Sequence, residues 1–247
     1  LPSHPELLDY LALAFVQNSW SIKTMIRNIV LTEAFQRSTS GGSVAKDPDN
    51  LYLTRYNVRR LEAEGIRDAV LTVAGSLDTT MFGKPVPVHL TSFMQGRGRP
   101  GKSGPLDGNG RRSVYLEVRR NFLDRMMTAF DRPTPFTTFG KRDVTNVPAQ
   151  SLFLMNDPFI AGQAKAMASN LLENKDLSED RARIKYAYLR AFSRLPSSEE
   201  VDKGLAFLDL TRIKVAEHSD SEEKVALLTW KEYCHALFNM KSFIYLM

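Results

Sequence analysis

The sequence predicts a mainly α-helical, multi-helix protein with one small β element near residues 113–118. Three observations carry that expectation. Apolar residues recur at helical spacing over most of the chain. Ser or Asp followed three residues later by Glu precedes several of these runs, which is how helices begin. One short run, Ser113-Val114-Tyr115-Leu116-Glu117-Val118, alternates in the β manner instead.

Taken in order, Ser3 and Glu6 stand at capping-box spacing ahead of Leu7, Leu8, Leu11 and Phe15. A second helix is expected after Ser19, with Ile22, Met25, Ile26 and Ile29 on one face, giving an antiparallel hairpin. Residues 38–50, STSGGSVAKDPDN, read as a loop. A helix is expected over 59–74. It would place Arg60–Glu64 at i,i+4 and Arg59–Glu62 and Glu64–Arg67 at i,i+3, with Gly75 as its C-cap. The stretch from Met81 to Gly110 is rich in Gly and Pro and reads as an irregular, mobile excursion. A short helix is expected from Phe122 to Phe130, and Pro148 suits the first turn of another. The last hundred residues read as wholly helical: 158–172, 178–192, a helix opened by Ser197 and Glu200, and one opened by Asp220 and Glu223. No internal repeat stands out. A single domain over 1–247 is expected, with a subdivision into 1–157, holding the 79–110 excursion, and 158–247.

At 247 residues, with 43% hydrophobic and 25% charged residues, the chain is long enough to bury a full core without disulfides. Its one cysteine, Cys234, excludes an internal disulfide. No apolar run approaches the roughly 20 residues of a membrane-spanning helix. The chain opens Leu1-Pro2-Ser3-His4 without Met and reads as a fragment of a larger protein. The net charge is +5, and the excess is local. Residues 96–142 hold eleven Lys/Arg against four Asp/Glu, a net of +7, so the remainder carries −2. This arginine-rich loop marks either an anion-binding face or a solvated surface with structural arginines.

Gly96-Arg97-Gly98-Arg99-Pro100-Gly101-Lys102-Ser103 satisfies the pattern G-x-x-x-x-G-K-[ST]. A phosphate-cradling loop must run into a helix after Lys-Ser, but Gly104, Pro105, Gly108 and Gly110 follow and break helices. A flexible basic loop is expected. The histidines His4, His89, His218 and His235 show no metal-ligand spacing. Cys234-His235 has Lys231 where a c-type haem motif needs Cys, and Cys234 sits among apolar residues as a small buried hydrophobe. No G-x-S-x-G elbow occurs, so neither a catalytic constellation nor a metal site is readable. Specific nucleic-acid binding has charge alone behind it. Arg111, Arg112, Arg119, Arg120 and Arg142 suit bidentate binding of an anion or structural bridging. Glu64 and Asp68 share a helix face with Arg60 and Arg67, which reads as an ion-pair network. At least one of Arg60 and Arg67 is expected to be buried against a carboxylate or a backbone carbonyl.

Six segments carry a family resemblance: residues 4–38, 59–78, 111–121 (RRSVYLEVRRN), 143–159 (DVTNVPAQSLFLMNDPF), 187–200 and 230–246. They resemble the C-terminal PSD-type domain of unknown function of large exported planctomycete-type proteins, where it follows a cytochrome-c-like domain and a second uncharacterised domain. The resemblance implies export to the periplasm or cell surface, haem only in a separate upstream domain, and partnership with the upstream domains of the same parent chain. It assigns no catalytic residue. The polar positions that match its pattern are Arg60, Glu62, Arg67, Asp68, Arg112, Tyr115, Arg119, Thr145, Gln150 and Asn156. With Arg142 added and Thr145 and Asn156 left aside, these form the candidate anion-binding or structural cluster. The leading expectation is a non-catalytic interaction or support module of a cytochrome-linked protein. The competing one is part of an oxidoreductase or polysaccharide-active enzyme whose site is shared with upstream domains.

Overall fold

The computed structural model describes residues 2–41, 46–219 and 221–247. The helical class is realised. The helices are α1 (Pro5–Gln17), α2 (Ile22–Val30), α3 (Ala63–Ala74), α4 (Arg125–Ala129), α5 (Pro148–Asn156), α6 (Pro158–Glu173), α7 (Asp180–Phe192), α8 (Ser198–Ala216), α9 (Glu222–Asn239) and α10 (Lys241–Ile244). A two-stranded sheet pairs β1 (Arg59–Arg60) with β2 (Tyr245–Leu246). The chain divides into two compact units, 1–59 with 245–247, and 60–244.

In the first unit, α1 and α2 form the expected hairpin. Ser21 caps α2 by accepting from the Thr24 N–H. The capping box expected at Ser3 and Glu6 is not used: His4 is the N-cap and makes no side-chain cap bond, while Pro5 occupies the first turn. Asp47 and Asn50 organise the following turn. Asp47 accepts from the Leu51 and Tyr52 N–H groups, and Asn50 donates to the Arg55 carbonyl. Residues 42–45 of the expected 38–50 loop lie outside the described residues.

The second unit is built around α6 and α9. On α6, Ile160, Ala164, Met167, Ala168 and Leu171 recur at helical spacing and are buried. The small alanines let the backbones approach. Trp230, Tyr233, Cys234, Leu237 and Phe238 meet them from α9. The apolar side of α3, with Ala63, Ile66, Val70, Leu71 and Ala74, closes the core. Pro158 separates α5 from α6. The residue before a proline avoids the helical region, and Asp157 takes φ −76°, ψ 130° and caps α6 through the Phe159 N–H at 2.9 Å. At α8 the expected box forms in full: Ser197 Oγ accepts from the Glu200 N–H, and Glu200 accepts from the Ser197 N–H. Asp220 lies outside the described residues; Ser221 caps α9.

Three expectations change in detail. The helix expected from Arg59 begins at Ala63, because Arg59 and Arg60 are taken into the sheet. The i,i+4 pair of Arg60 with Glu64 therefore does not form. Residues 113–115 make a single 3-10 turn, and the β character near 113–118 is one parallel bridge from Leu116 to Val86. Ser113 and Leu116 are the buried residues there, three apart, whereas a strand would bury alternate ones. Buried polar partners of Ser113 override the local β preference, which is weak and context-dependent. Finally, the 79–110 excursion is irregular but tied down. Val86 exchanges backbone hydrogen bonds with Tyr115 and Glu117, and Gly104 donates to the Val88 carbonyl. Val88, Leu90 and Phe122 form a small core of their own beneath it. A β-carbon on Gly104 would collide with the Pro87 carbonyl, so only glycine permits that approach. No helix follows Lys102-Ser103, and Ser103 Oγ accepts from the Leu90 N–H. The segment has none of the geometry of a phosphate-cradling loop.

Candidate functional site

The polar residues singled out in the sequence assemble into separate knots. In the first, Arg60 is 6% exposed. It donates to the Thr145 carbonyl at 2.6 Å, to the Phe130 carbonyl at 3.3 Å and to Asp131 Oδ2 at 2.6 Å. Thr145 returns two bonds to Asp131, and Gln150 donates to Thr145. Burial works against the Asp131 charge, but the Thr145 N–H and the Arg60 guanidinium outweigh it and hold its carboxyl below the usual range.

The second knot centres on Arg67, 3% exposed. It donates to the carbonyls of Arg111 at 2.8 Å and Asp107 at 2.6 Å, and to Ser113 Oγ at 3.2 Å. Asp68 accepts from both the N–H and the hydroxyl of Ser113 at 2.7 Å, and Arg112 stands 3.6 Å from its other oxygen. Burial lowers the pKa of the Arg67 guanidinium from its ordinary value, and Asp124, Asp68 and Asp107 act in the opposite sense. The expectation of a buried, bonded arginine thus holds at both positions.

A third group joins Arg142 to Glu64 through a two-pronged bridge at 2.7 and 3.1 Å, with Glu62 at 3.5 Å. Tyr115 accepts the Phe82 N–H and carries the Arg111 guanidinium 4.2 Å above its ring. Arg119 pairs with Glu117 at 3.1 Å, and Asn156 donates back to Leu152 within α5. The i,i+3 and i,i+4 charge pairs expected along α3 are therefore replaced by bridges from Glu64 to Arg142 and from Asp68 to Arg112, beside one contact between neighbours, Arg67 with Asp68 at 3.7 Å.

A further group, which the sequence did not mark, lines a shallow solvent-open cleft. His89 enters from the excursion, Asp124 and Arg125 from the start of α4, and Asp157 from the α5–α6 junction. Phe153 and Phe159 supply apolar wall, and Arg67 reaches it from α3. Asp124 and Asp157 are both helix N-caps, each accepting at Oδ1 from a backbone N–H, of Met127 at 3.0 Å and Phe159 at 2.9 Å. Asp157 is 6% exposed, and burial raises its pKa; the Asp124 charge adds to the rise, while Arg125 and His89 oppose it. The sequence offers only a faint signal for these residues: an Asp-Pro step at 157–158 and an Asp ahead of a short helix.

Among the described residues no group of three or more His, Cys, Asp or Glu side chains is placed to hold a metal ion. Cys234 is fully buried, which pushes its thiol pKa upward, and His235 Nε2 lies 2.8 Å from the Leu154 carbonyl. Cys234 is a core residue, and His235 is partly buried beside it. Among the described residues no helix is long and apolar enough to cross a membrane.

Fold and polar knots together define a mainly helical domain braced by buried arginines. The chain belongs to the family PSD1, described as "Protein of unknown function (DUF1553)", whose model matches residues 1–208. The match ends within α8, so the resembling segment 230–246 falls outside it. No curated protein and no solved structure matches the chain.

Proposed function

We propose that this domain is a non-catalytic interaction and support module of an exported, planctomycete-type, cytochrome-linked protein, docking to upstream domains of its own parent chain. Haem, in this reading, resides in one of those domains. The supporting observation is the first unit's hairpin. Neither α1 nor α2 buries a single residue. Leu8 is 55% exposed, Leu13 63%, Trp20 65% and Ile22 67%. Large apolar side chains left in water in such number on one hairpin support an interaction site, because exposing them is costly. The test is hydrogen exchange on this chain alone and within its full-length parent. Slower exchange of the α1 and α2 amides in the parent is expected, and equal exchange in both removes the docking reading.

The second reading is a part of an oxidoreductase or polysaccharide-active enzyme with a site shared between domains. The cleft favours it, since a buried carboxyl of raised pKa beside a histidine is the material of proton transfer. Dye-linked dehydrogenase and glycosidase assays on the parent protein and on its His89→Gln variant decide it. Turnover that vanishes in the variant replaces the support-module reading.

A further inference from the structure

Residues 79–106 of the excursion carry four Lys/Arg and no Asp or Glu. Among the described residues the arginines from 111 to 142, Arg120 excepted, each face a carboxylate, whereas Lys84, Arg97, Arg99 and Lys102 face none. Three of those four cations stand on the loop 91–103. Its base is closed by the Leu90 N–H donating to Ser103 Oγ at 2.8 Å and the Gly104 N–H donating to the Val88 carbonyl at 2.9 Å. Inside the loop two tight turns follow one another, Thr91 to Met94 and Gly96 to Arg99, each closed by a backbone hydrogen bond. The Arg99 guanidinium donates to the carbonyls of Thr91 and Met94 and so fastens the second turn to the first. Met94 packs inward on the small core of Val88, Leu90 and Phe122. Its neighbour Phe93 is 93% exposed, and Arg97 and Lys102 are exposed as well. The loop is thus braced by its own hydrogen bonds around one outward ring and cations without counter-charges.

We infer that loop 91–103 seats this domain on the surface of an anionic lipid bilayer, with the Phe93 ring in the interface and Arg97 and Lys102 at the headgroup phosphates. A bilayer answers both features at once, since its apolar layer lies directly beneath its negative charge. Aromatic rings settle at that boundary, and Lys and Arg stems lie along apolar surface while their heads stay wet. Gly96, Gly98 and Gly101 have open space around them, which lets the two cations follow mobile headgroups without a fixed carboxylate partner. Single-stranded nucleic acid stacks on successive rings, and this loop has one. Met81 and Phe82, at the start of the same excursion, are also exposed apolar side chains. The inference is independent of the docking reading, which concerns α1 and α2.

The test is co-sedimentation of the intact chain with vesicles of equal parts phosphatidylglycerol and phosphatidylcholine, beside vesicles of phosphatidylcholine alone. Binding to the anionic vesicles is expected to be tighter by about tenfold or more and to weaken as salt is added. Phe93→Ser should weaken it about tenfold, the loss of a partly inserted ring. Each charge at an anionic surface is worth about fivefold, so Arg97→Gln combined with Lys102→Gln should weaken it about twenty-five-fold. Lys175→Gln combined with Lys185→Gln removes the same charge from exposed positions elsewhere and should leave binding within about twofold. All of these side chains are exposed, so the fold survives, and circular dichroism checks that it does. No sedimentation with the anionic vesicles, equal binding to the neutral ones, an unchanged Phe93→Ser, or equal losses in the two charge pairs overturns the inference. Binding of a single-stranded DNA oligonucleotide as tight as that of the vesicles, with the same dependence on Phe93, assigns the loop to nucleic acid and overturns it too.

Discussion

Two buried guanidinium groups tie together segments of this fold that lie 40 or more positions apart. Arg60 joins the β1 strand to the end of α4 and the segment before α5. Arg67 joins α3 to the carbonyls of Asp107 and Arg111. Removing Arg60 leaves Asp131 with Thr145 as its remaining donor, and removing Arg67 takes the side-chain donor from the Asp107 and Arg111 carbonyls. Arg60→Ala and Arg67→Ala are each expected to cost on the order of 3–5 kcal/mol in urea unfolding, far beyond a surface charge. Unchanged midpoints in both would show that water replaces the guanidinium freely. Arg67→Lys should recover little, because one ammonium cannot span three acceptors held in a fork. Asp157 behaves oppositely. Its folded pKa lies above the ordinary 3.8, so the folded state holds the proton more tightly than the unfolded one. The stability this gives is full below pH 3.8 and is lost as pH rises through the folded pKa. Asp157→Asn cannot ionise and escapes that loss. The stability of Asp157→Asn relative to the native chain should therefore rise with pH from about 3.8 upward. A difference that is flat or falls with pH would place Asp157 in a solvated setting.

At the scale of elements, the helices start where local chemistry starts them. Pro148 and Pro158 occupy first turns, and Ser21, Asp124, Asp157, Ser197 and Ser221 cap. The α8 box is reinforced from outside by Arg194, which grips Glu200 at 2.6 and 2.8 Å. That bridge, with the Ser197 N–H, brings the Glu200 carboxyl down to about 2. A depressed carboxylate pKa stabilises the fold above the unfolded value, and the contribution disappears as pH falls from about 4.5 to about 2. Glu200→Gln should therefore narrow the gap to the native chain across that interval. Its melting temperature would converge on the native one at the acid end, and a constant gap would refute the bridge. Ser197→Ala, losing the cap alone, should cost about 1 kcal/mol at all pH values.

At the scale of the molecule, the buried apolar core belongs to the second unit. Its members run from Ala63 to Phe243, while α1 and α2 bury nothing. A chain beginning at Arg59 should therefore retain a single cooperative unfolding transition and native near-ultraviolet dichroism. In the intact chain the α6 and α9 amides should exchange only through global unfolding, and those of α1 and α2 through local opening. Loss of cooperative folding on removing residues 1–58 would mean that the hairpin supplies core-forming contacts.

The sequence by itself determined what depends on neighbours along the chain. Spacing of apolar residues gave the helical class, and Pro and Ser gave the starts of α5, α6 and α8, because caps and first turns close within a few residues. It also carried the family, whose model rests on the linear pattern. The tertiary structure decided what spans distance. Arg60 and Glu64 have perfect helical spacing, yet Arg60 bonds a residue 71 positions away and Glu64 one 78 positions away. Pairing in the sheet removed Arg60 from the helix, and burial then chose its acceptors. The alternating run at 113–118 turned into a 3-10 turn for the same reason: Ser113 bonds Asp68 and Arg67 inside the protein. His89, Asp124 and Asp157 lie on three separate segments and have no shared motif. Their convergence arises only when the tied-down excursion meets two helix starts, so no linear pattern could announce the cleft.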